Sequence, residues 1–150
     1  MAGAIEALQQ MRALDPEDEA LTPLGRMLVR MPVDAQIGKM LVFGCLLRCL
    51  SPCLTIAAAL SGRPPFLSPS DKREEANAAR DRLAAGAVRS DHLALVAAFN
   101  GWHAARERGG RREGRLFCQE NFLSIQGMEA IEASRVDYAG VLADLGFVGR

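Results

Sequence analysis

The sequence is poor in aromatic residues and has no excess of charge of either sign. Aromatic residues make up 5% of the chain, and 18 basic residues balance 18 acidic ones. A chain without net charge does not attract nucleic acid as a whole, so such binding has to depend on a local cluster. Only two of the basic residues are lysine; the arginines suit bidentate phosphate contacts, although a compositional bias towards arginine explains them equally well.

Long apolar runs and a secretory leader are also missing. No run reaches the ~18 apolar residues that a membrane span needs, because Lys39 and Arg48 interrupt the best candidate. The first residues lack the charged and apolar segments of a signal peptide. Four cysteines without secretory context therefore predict reduced thiols in an intracellular protein, cytoplasmic or nuclear, with no membrane partner.

Alternation of β-branched with polar residues is absent, which excludes a protein built mainly from strands. Hydrophobic residues make up 49% of the chain, enough for a packed core, and alanine and leucine are frequent. The sequence predicts an all-α fold: a partial winged helix followed by a helical bundle. Helices are predicted over residues 4–14, 26–31, 37–50, 53–60, 71–84, 90–108, 116–123 and 124–146.

Local signals predict where these helices begin and end. The helix over 37–50 is apolar on every side, which predicts a buried central helix. Side-chain caps are predicted at Asp34, Ser51 (followed by Pro52), Ser70, Ser90 and Ser124, and helix ends at Asp15, Gly62, Gly86 and Gly109–Gly110.

The last predicted helix carries an apolar seam that one arginine interrupts. Its members recur at steps of three and four residues: Met128, Ile131, Arg135, Tyr138, Leu142 and Leu145. An arginine that leaves water needs a partner or a ligand. Arg135 is therefore a candidate functional residue.

Motifs for catalysis are weak or absent. No G-x-x-x-x-G-K-[ST] loop is present, and Asp18-Glu19-Ala20-Leu21 lacks the final histidine and the preceding strand of a helicase acidic motif. His92 and His103 lie eleven residues apart without a nucleophile motif, so a polar contact or a capping role explains His92 better than acid–base catalysis. We expect no catalytic residue in this chain.

Three cysteines recur every four residues, at positions 45, 49 and 53. A zinc site would need His92, His103 or Cys118 as a fourth ligand. The spacing crosses the Ser51-Pro52 break, and the neighbouring residues are apolar. Buried structural thiols are the favoured interpretation, so we expect neither a metal nor a cofactor in this chain.

A basic stretch follows the predicted break at Gly109–Gly110. Residues 106–115 contain five arginines and two glutamates. Arg111, Arg112 and Arg115, close to two phenylalanines, suit contact with nucleic acid. A solvent-exposed turn is the alternative explanation.

Several motifs in order resemble the helicase-associated region of DEAH-box RNA helicases, and most of all the branch that includes RNA helicase A. They are LTPLGRMLVRMPVDAQIGKML at 21–41, LTIAAALS at 54–61, PF and SP at 65–69, SDHL at 90–93 with Trp102, C-x-x-NFLS at 118–124, and Arg135 ten residues before LGFV at 145–148. The resemblance covers residues 6–148, essentially the whole chain.

The resemblance implies a winged-helix C-terminal part with its linking helix over 1–50 and a ratchet domain over 51–150. It implies contact with single-stranded RNA through Asn121, Ser124 and Arg135, with Arg115 and His92 behind them. ATP and magnesium would belong to RecA-like motor domains outside this chain, so the chain alone would not hydrolyse ATP. An oligonucleotide-binding fold of the same parent protein, and an activating protein on the winged-helix face, are further implied partners. The alternative is a non-catalytic helical interaction module whose Arg-rich loop docks an acidic partner.

Overall fold

The computed structural model describes residues 2–84 and 90–149, and the described chain is α-helical. Its only β-pairing consists of two isolated bridges. The all-α prediction is confirmed. The helices are α1 (Ala2–Gln10), α2 (Pro23–Leu28), α3 (Ala35–Leu46), α4 (Leu50–Ser61), α5 (Arg73–Ala84), α6 (Asp91–Glu120) and α7 (Ile125–Asp144).

The chain divides into two compact units. The first consists of Met1–Cys53 together with Asp137–Arg150, and the second of Leu54–Val136. The boundaries between the units fall inside α4 and α7. The domain boundary predicted at residue 50 stays a prediction.

In the first unit, α1 ends earlier than predicted. It stops at Gln10 instead of Leu14, because Arg12 adopts a left-handed backbone conformation with φ of 59°. The Ala13 N–H then donates to the Leu8 carbonyl at 2.8 Å, which is the closing bond of a Schellman motif. Glycine usually fills this position, so no local signal indicated that an arginine would end the helix.

Thr22 connects this turn to α2. Its Oγ1 donates to the Arg12 carbonyl at 2.7 Å and accepts from the Gly25 N–H at 3.0 Å, which caps the helix. Pro23 occupies the first helical turn, where a missing N–H removes no bond. The helix predicted over 26–31 therefore begins at Pro23.

The prediction that α3 is buried on every side is wrong. Leu41 and Val42 are buried, whereas Phe43, Leu46 and Leu47 are 45%, 64% and 71% exposed. The composition of a helix shows how apolar its side chains are. It does not show how much of the helix surface packs against other parts of the chain. α3 therefore presents an apolar stripe to solvent.

Three of the predicted caps are also wrong. The Asp34 side chain makes no capping hydrogen bond. α4 begins at Leu50, so Ser51 lies inside the helix and not before it. Ser70 lies three residues before α5, which begins at Arg73. The predicted helix end at Gly86 lies outside the described residues, and α4 stops immediately before Gly62, as predicted.

In the second unit, α6 reverses direction at the predicted break. Gly109 and Gly110 have non-helical backbone angles, and Gly110 has φ of 67°. In a straight helix residues 101 and 117 would lie about 24 Å apart. Instead, a Cβ added at Gly101 would collide with the Phe117 ring. α6 is thus a hairpin with a first arm over 91–108 and a second arm over 111–120, which begins earlier than the predicted helix over 116–123.

Two predicted caps in this unit are confirmed. The Ser90 hydroxyl accepts from the Leu93 N–H at 3.4 Å at the start of α6. The Ser124 hydroxyl accepts from the Gly127 N–H at 3.1 Å at the start of α7. Both serines occupy a position that favours a short hydroxyl side chain because the first N–H groups of a helix lack backbone partners.

Candidate nucleic-acid interface

The turn between α6 and α7 positions two of the predicted RNA-contacting residues, Asn121 and Ser124. Asn121 follows the last residue of α6, and its Nδ2 donates to the Phe117 carbonyl at 2.9 Å. Phe122 has φ of 52°, and the Leu123 N–H donates to the Cys118 carbonyl at 2.9 Å. This is a Schellman motif with phenylalanine in the position that glycine prefers. The turn is therefore defined by side-chain and backbone hydrogen bonds.

The Pro-rich segment after α4 holds this turn in place. The Leu67 N–H donates to the Phe122 carbonyl at 2.7 Å, and the Ser124 N–H donates to the Pro65 carbonyl at 2.8 Å. Gly127 lies close to the buried Pro65: a Cβ added there would lie 3.3 Å from the proline ring. The two segments form an antiparallel bridge that keeps Asn121 and Ser124 at a fixed position on the second unit.

Arg135 lies further along α7 and makes internal contacts. Its Nη1 donates to the Thr55 Oγ1 at 2.5 Å, and its guanidinium lies 4.6 Å from the centre of the Phe99 ring. Burial lowers the pKa of Arg135, and the nearby Glu132 carboxylate opposes that change. Thr55 and Phe99 are thus the partners that an arginine in an apolar seam is expected to have.

A second arginine, on the first arm of α6, also makes an ionic or polar contact and a contact with an aromatic ring. Arg106 forms an ion pair with Glu132 at 2.6 Å and lies 4.6 Å from the centre of the Trp102 ring. Trp102 is buried, and its Nε1 would lie 3.3 Å from a Cβ added at Gly114. The absence of a side chain at Gly114 lets the two arms of α6 approach around the tryptophan.

Replacing Arg135 with alanine is expected to lower the free energy of unfolding by about 2–3 kcal/mol, from one charge-assisted hydrogen bond and one cation–π contact. Urea denaturation followed by circular dichroism measures this change. Arg73→Ala, at an exposed position of α5, is the control and is expected to change stability by about 0.5 kcal/mol or less. An Arg135→Ala variant that is as stable as the unchanged protein would show that the internal contacts of this arginine do not stabilise the fold.

The other two predicted residues are exposed. His92 lies in the first turn of α6, next to Asp91, which pairs with Arg80 at 2.8 Å. Arg115 lies on the second arm of α6. Arg80 also lies 4.8 Å from the centre of the Phe66 ring, so this pair connects α5, the Pro-rich segment and the start of α6.

Comparison with known proteins agrees with this architecture. Residues 4–33 match the winged-helix part of the helicase-associated domain (HA2), and residues 34–95 match its ratchet-like part. Together the two matches cover more than half of the chain. The chain belongs to the helicase-associated (HA2) family. The predicted resemblance is thereby confirmed.

The HA2 chain is similar over nearly its whole length to parts of long helicases. It is 44% identical over 147 residues to the DExH-box ATP-dependent RNA helicase DExH1 of Arabidopsis thaliana, covering 98% of the chain and 14% of that protein. It is 46% identical over 145 residues to the human ATP-dependent DNA/RNA helicase DHX36, covering 97% of the chain and 14% of that protein. It is 43% identical over 140 residues to the human putative ATP-dependent RNA helicase DHX57, covering 93% of the chain and 10% of that protein. The chain thus spans about a seventh or less of these relatives.

The structure places the five predicted residues of this HA2 chain in different surroundings. It brings Asn121 and Ser124 together in one turn, and Arg115 lies on the α6 arm that leads into that turn. Arg135 lies in α7 and makes internal contacts. His92 lies in the first turn of α6. Three residues that sequence reasoning missed support the site: Thr55, Glu132 and Arg80. Thr55 pairs with Arg135, Glu132 with Arg106, and Arg80 with Asp91. The partners in each pair lie far apart in the sequence, so no local pattern could have indicated them.

The cysteines of the HA2 chain are free thiols. Cys118 is buried, and burial raises the pKa of its thiol to about 11, with a smaller contribution from the Glu129 carboxylate. Burial also raises the pKa of Cys45 and of Cys53. Among residues 2–84 and 90–149, no group of three histidine, cysteine or acidic side chains has the geometry to hold a metal ion.

No helix described by the structure is both long enough and apolar enough to span a bilayer.

Proposed function

We propose that this HA2 chain contacts single-stranded RNA at the α6–α7 turn and transmits the contact to motor domains of a parent helicase. The observation that supports this most is the turn itself, which hydrogen bonds connect to Pro65 and Leu67. A rigid support fixes the position of polar side chains and so favours a defined contact. The relatives are RNA or DNA/RNA helicases by name, which supports the choice of ligand.

Asn121 and Ser124 keep hydrogen-bonding capacity for a ligand. Asn121 uses one amide N–H for the Phe117 carbonyl, and Ser124 uses its hydroxyl oxygen as an acceptor for the Gly127 N–H. An amide also offers a second N–H and a carbonyl, and a hydroxyl also donates. These groups suit a 2′-hydroxyl or a base edge, with Arg115 and His92 adding polar contacts along α6 and Arg135 behind the turn.

Transmission of the contact would use α7. This helix begins at the Ser124 cap and continues for 20 residues. A strand that moves past the turn would act on the N-terminal end of this helix. ATP and magnesium would be held by RecA-like motor domains of the parent protein, with an oligonucleotide-binding fold and an activating partner protein completing the assembly.

Fluorescence anisotropy with labelled single-stranded RNA and with DNA of the same sequence tests this proposal. We expect tighter binding of RNA, and we expect Asn121→Ala to weaken RNA binding by roughly three- to tenfold, the contribution of one hydrogen bond. Asn100→Ala, an exposed asparagine on the first arm of α6, is the matched control and should bind normally.

Two results would count against the proposal. Equal binding of RNA and DNA, unchanged in Asn121→Ala, would remove the turn from RNA recognition. Binding of an acidic polypeptide in place of either strand would favour the alternative function, a protein-interaction module that docks through its arginines.

A further inference from the structure

An open groove lies at the start of the second arm of α6. It has a volume of about 430 Å³ and is lined by Arg111, Arg112, Arg115, Leu116 and Gln119. All three arginines are exposed. Arg111 and Arg115 are one helical turn apart, about 6 Å along the axis, so they present separate guanidinium groups to separate ligand atoms.

These three arginines make no ion pair with any residue that the structure describes. The ion pairs in this part of the chain use Arg80 and Arg106 instead. Of the acidic residues nearby, Glu113 folds its side chain against Gly109, and Glu129 faces Arg111 and Arg115 across a smaller adjoining cavity without pairing with them. The groove therefore holds three arginines that form no ion pair with a described residue.

The surplus of positive charge is local. The chain as a whole has a formal net charge of zero, whereas residues 106–115 contain five arginines and two glutamates. The rest of the chain must therefore be net acidic. A polyanion would therefore be attracted more strongly to this stretch than to the rest of the chain.

The lining of the groove suits phosphate better than it suits bases. Arginine contacts phosphate oxygens with paired N–H groups. Gln119 is the only uncharged polar side chain in the lining, and Leu116, 40% exposed, offers an apolar surface. Such a surface contacts the backbone of a strand but has few groups with which to distinguish its sequence.

We propose that Arg111, Arg112 and Arg115 form a binding site for the phosphodiester backbone of a single nucleic-acid strand, selected by charge and not by base or sugar. The site deepens the proposed function, on which it rests, by assigning the phosphates to these arginines. Asn121 and Ser124, at the end of the same arm, then contact sugar or base.

The test compares two triple variants with the same change in charge. The first is Arg111→Gln, Arg112→Gln and Arg115→Gln; the control is Arg63→Gln, Arg73→Gln and Arg82→Gln, all at exposed positions of the second unit. In the first variant we expect RNA and DNA to bind at least roughly tenfold more weakly, with the slope of log affinity against log salt reduced by about 2, or about 0.7 for each lost phosphate contact. The control should lose much less.

A third variant separates charge from folding. Replacing the same three arginines with lysine keeps the charge and should retain most of the affinity. Circular dichroism checks that all variants remain helical. Equal losses in the groove variant and in its control would overturn the site, because net charge alone would then explain the binding. So would unchanged binding in the groove variant, or tighter binding of polyglutamate than of either strand.

The outcomes for the groove and for the turn are distinguishable. RNA binding that survives in the groove variant but weakens in Asn121→Ala overturns the groove and leaves the proposed function intact. Equal binding of RNA and DNA that disappears in the groove variant supports the groove and overturns RNA recognition by the turn. Failure of the unchanged chain to bind either strand, even at low salt, overturns the groove.

Discussion

Trp102→Ala is expected to lower the free energy of unfolding by about 3–5 kcal/mol, the range for removing a large aromatic side chain from a core. Trp102 is the largest fully buried side chain of the described residues, with 1% of its surface exposed. Its ring centre lies 5.7 Å from that of Phe99, and Arg106 lies over its face. The variant would lose these contacts and leave a cavity between the two arms of α6.

Urea denaturation followed by circular dichroism measures the effect, because the substitution removes the only tryptophan and with it the usual fluorescence signal. Val136→Ala, at a position that is 68% exposed, is the control and should change stability by about 0.5 kcal/mol or less. Small domains have a total stability of about 5–15 kcal/mol, so Trp102→Ala would remove much of it. A loss below about 1 kcal/mol would contradict the position of Trp102 in the core.

Gly25→Ala is expected to destabilise the first unit by about 2 kcal/mol or more, although glycine to alanine inside a helix ordinarily stabilises by about 1 kcal/mol. A Cβ at Gly25 would collide with the carbonyl oxygen of Ala13 and would lie 3.0 Å from its carbonyl carbon. Backbone atoms cannot rotate away as a side chain can. The Thr22 bonds that hold the 12–13 turn would also be strained.

Gly140→Ala provides the matched control. Gly140 lies in α7, and a Cβ added there meets no atom within 4 Å. This variant should be as stable as the unchanged protein or more stable by up to about 1 kcal/mol. The thermal unfolding midpoints of the two variants should therefore move in opposite directions. If Gly25→Ala gains stability as Gly140→Ala does, the Ala13 carbonyl does not lie in close contact with Gly25 of α2.

Short-range signals predicted much of the second unit. Ser90 and Ser124 cap helices as expected, and Gly109–Gly110 interrupts α6. These features depend on a few consecutive residues: a hydroxyl that accepts from nearby N–H groups, or a glycine that adopts a left-handed conformation. The family motifs were equally local, and the match to the HA2 domain confirmed them.

Predictions failed where longer-range packing decided the outcome. Arg12 and Phe122 adopt positive φ although neither is glycine, and each turn receives a hydrogen bond from a residue outside it, Thr22 and Leu67 respectively. The apolar sequence of α3 predicted burial on every side, but the chain covers only part of its surface.

The sequence by itself determined that this HA2 chain is helical, where several helices are capped or broken, and which family it belongs to, because these properties depend on residues close together in the chain. Only the tertiary structure decided which contacts each arginine makes within the chain. Thr55 and Phe99 hold Arg135 internally, and Glu132 neutralises Arg106. Arg111, Arg112 and Arg115 lie in an open groove without an ion pair among the described residues. Sequence spacing alone cannot distinguish these arginines, because their partners come from helices far along the chain.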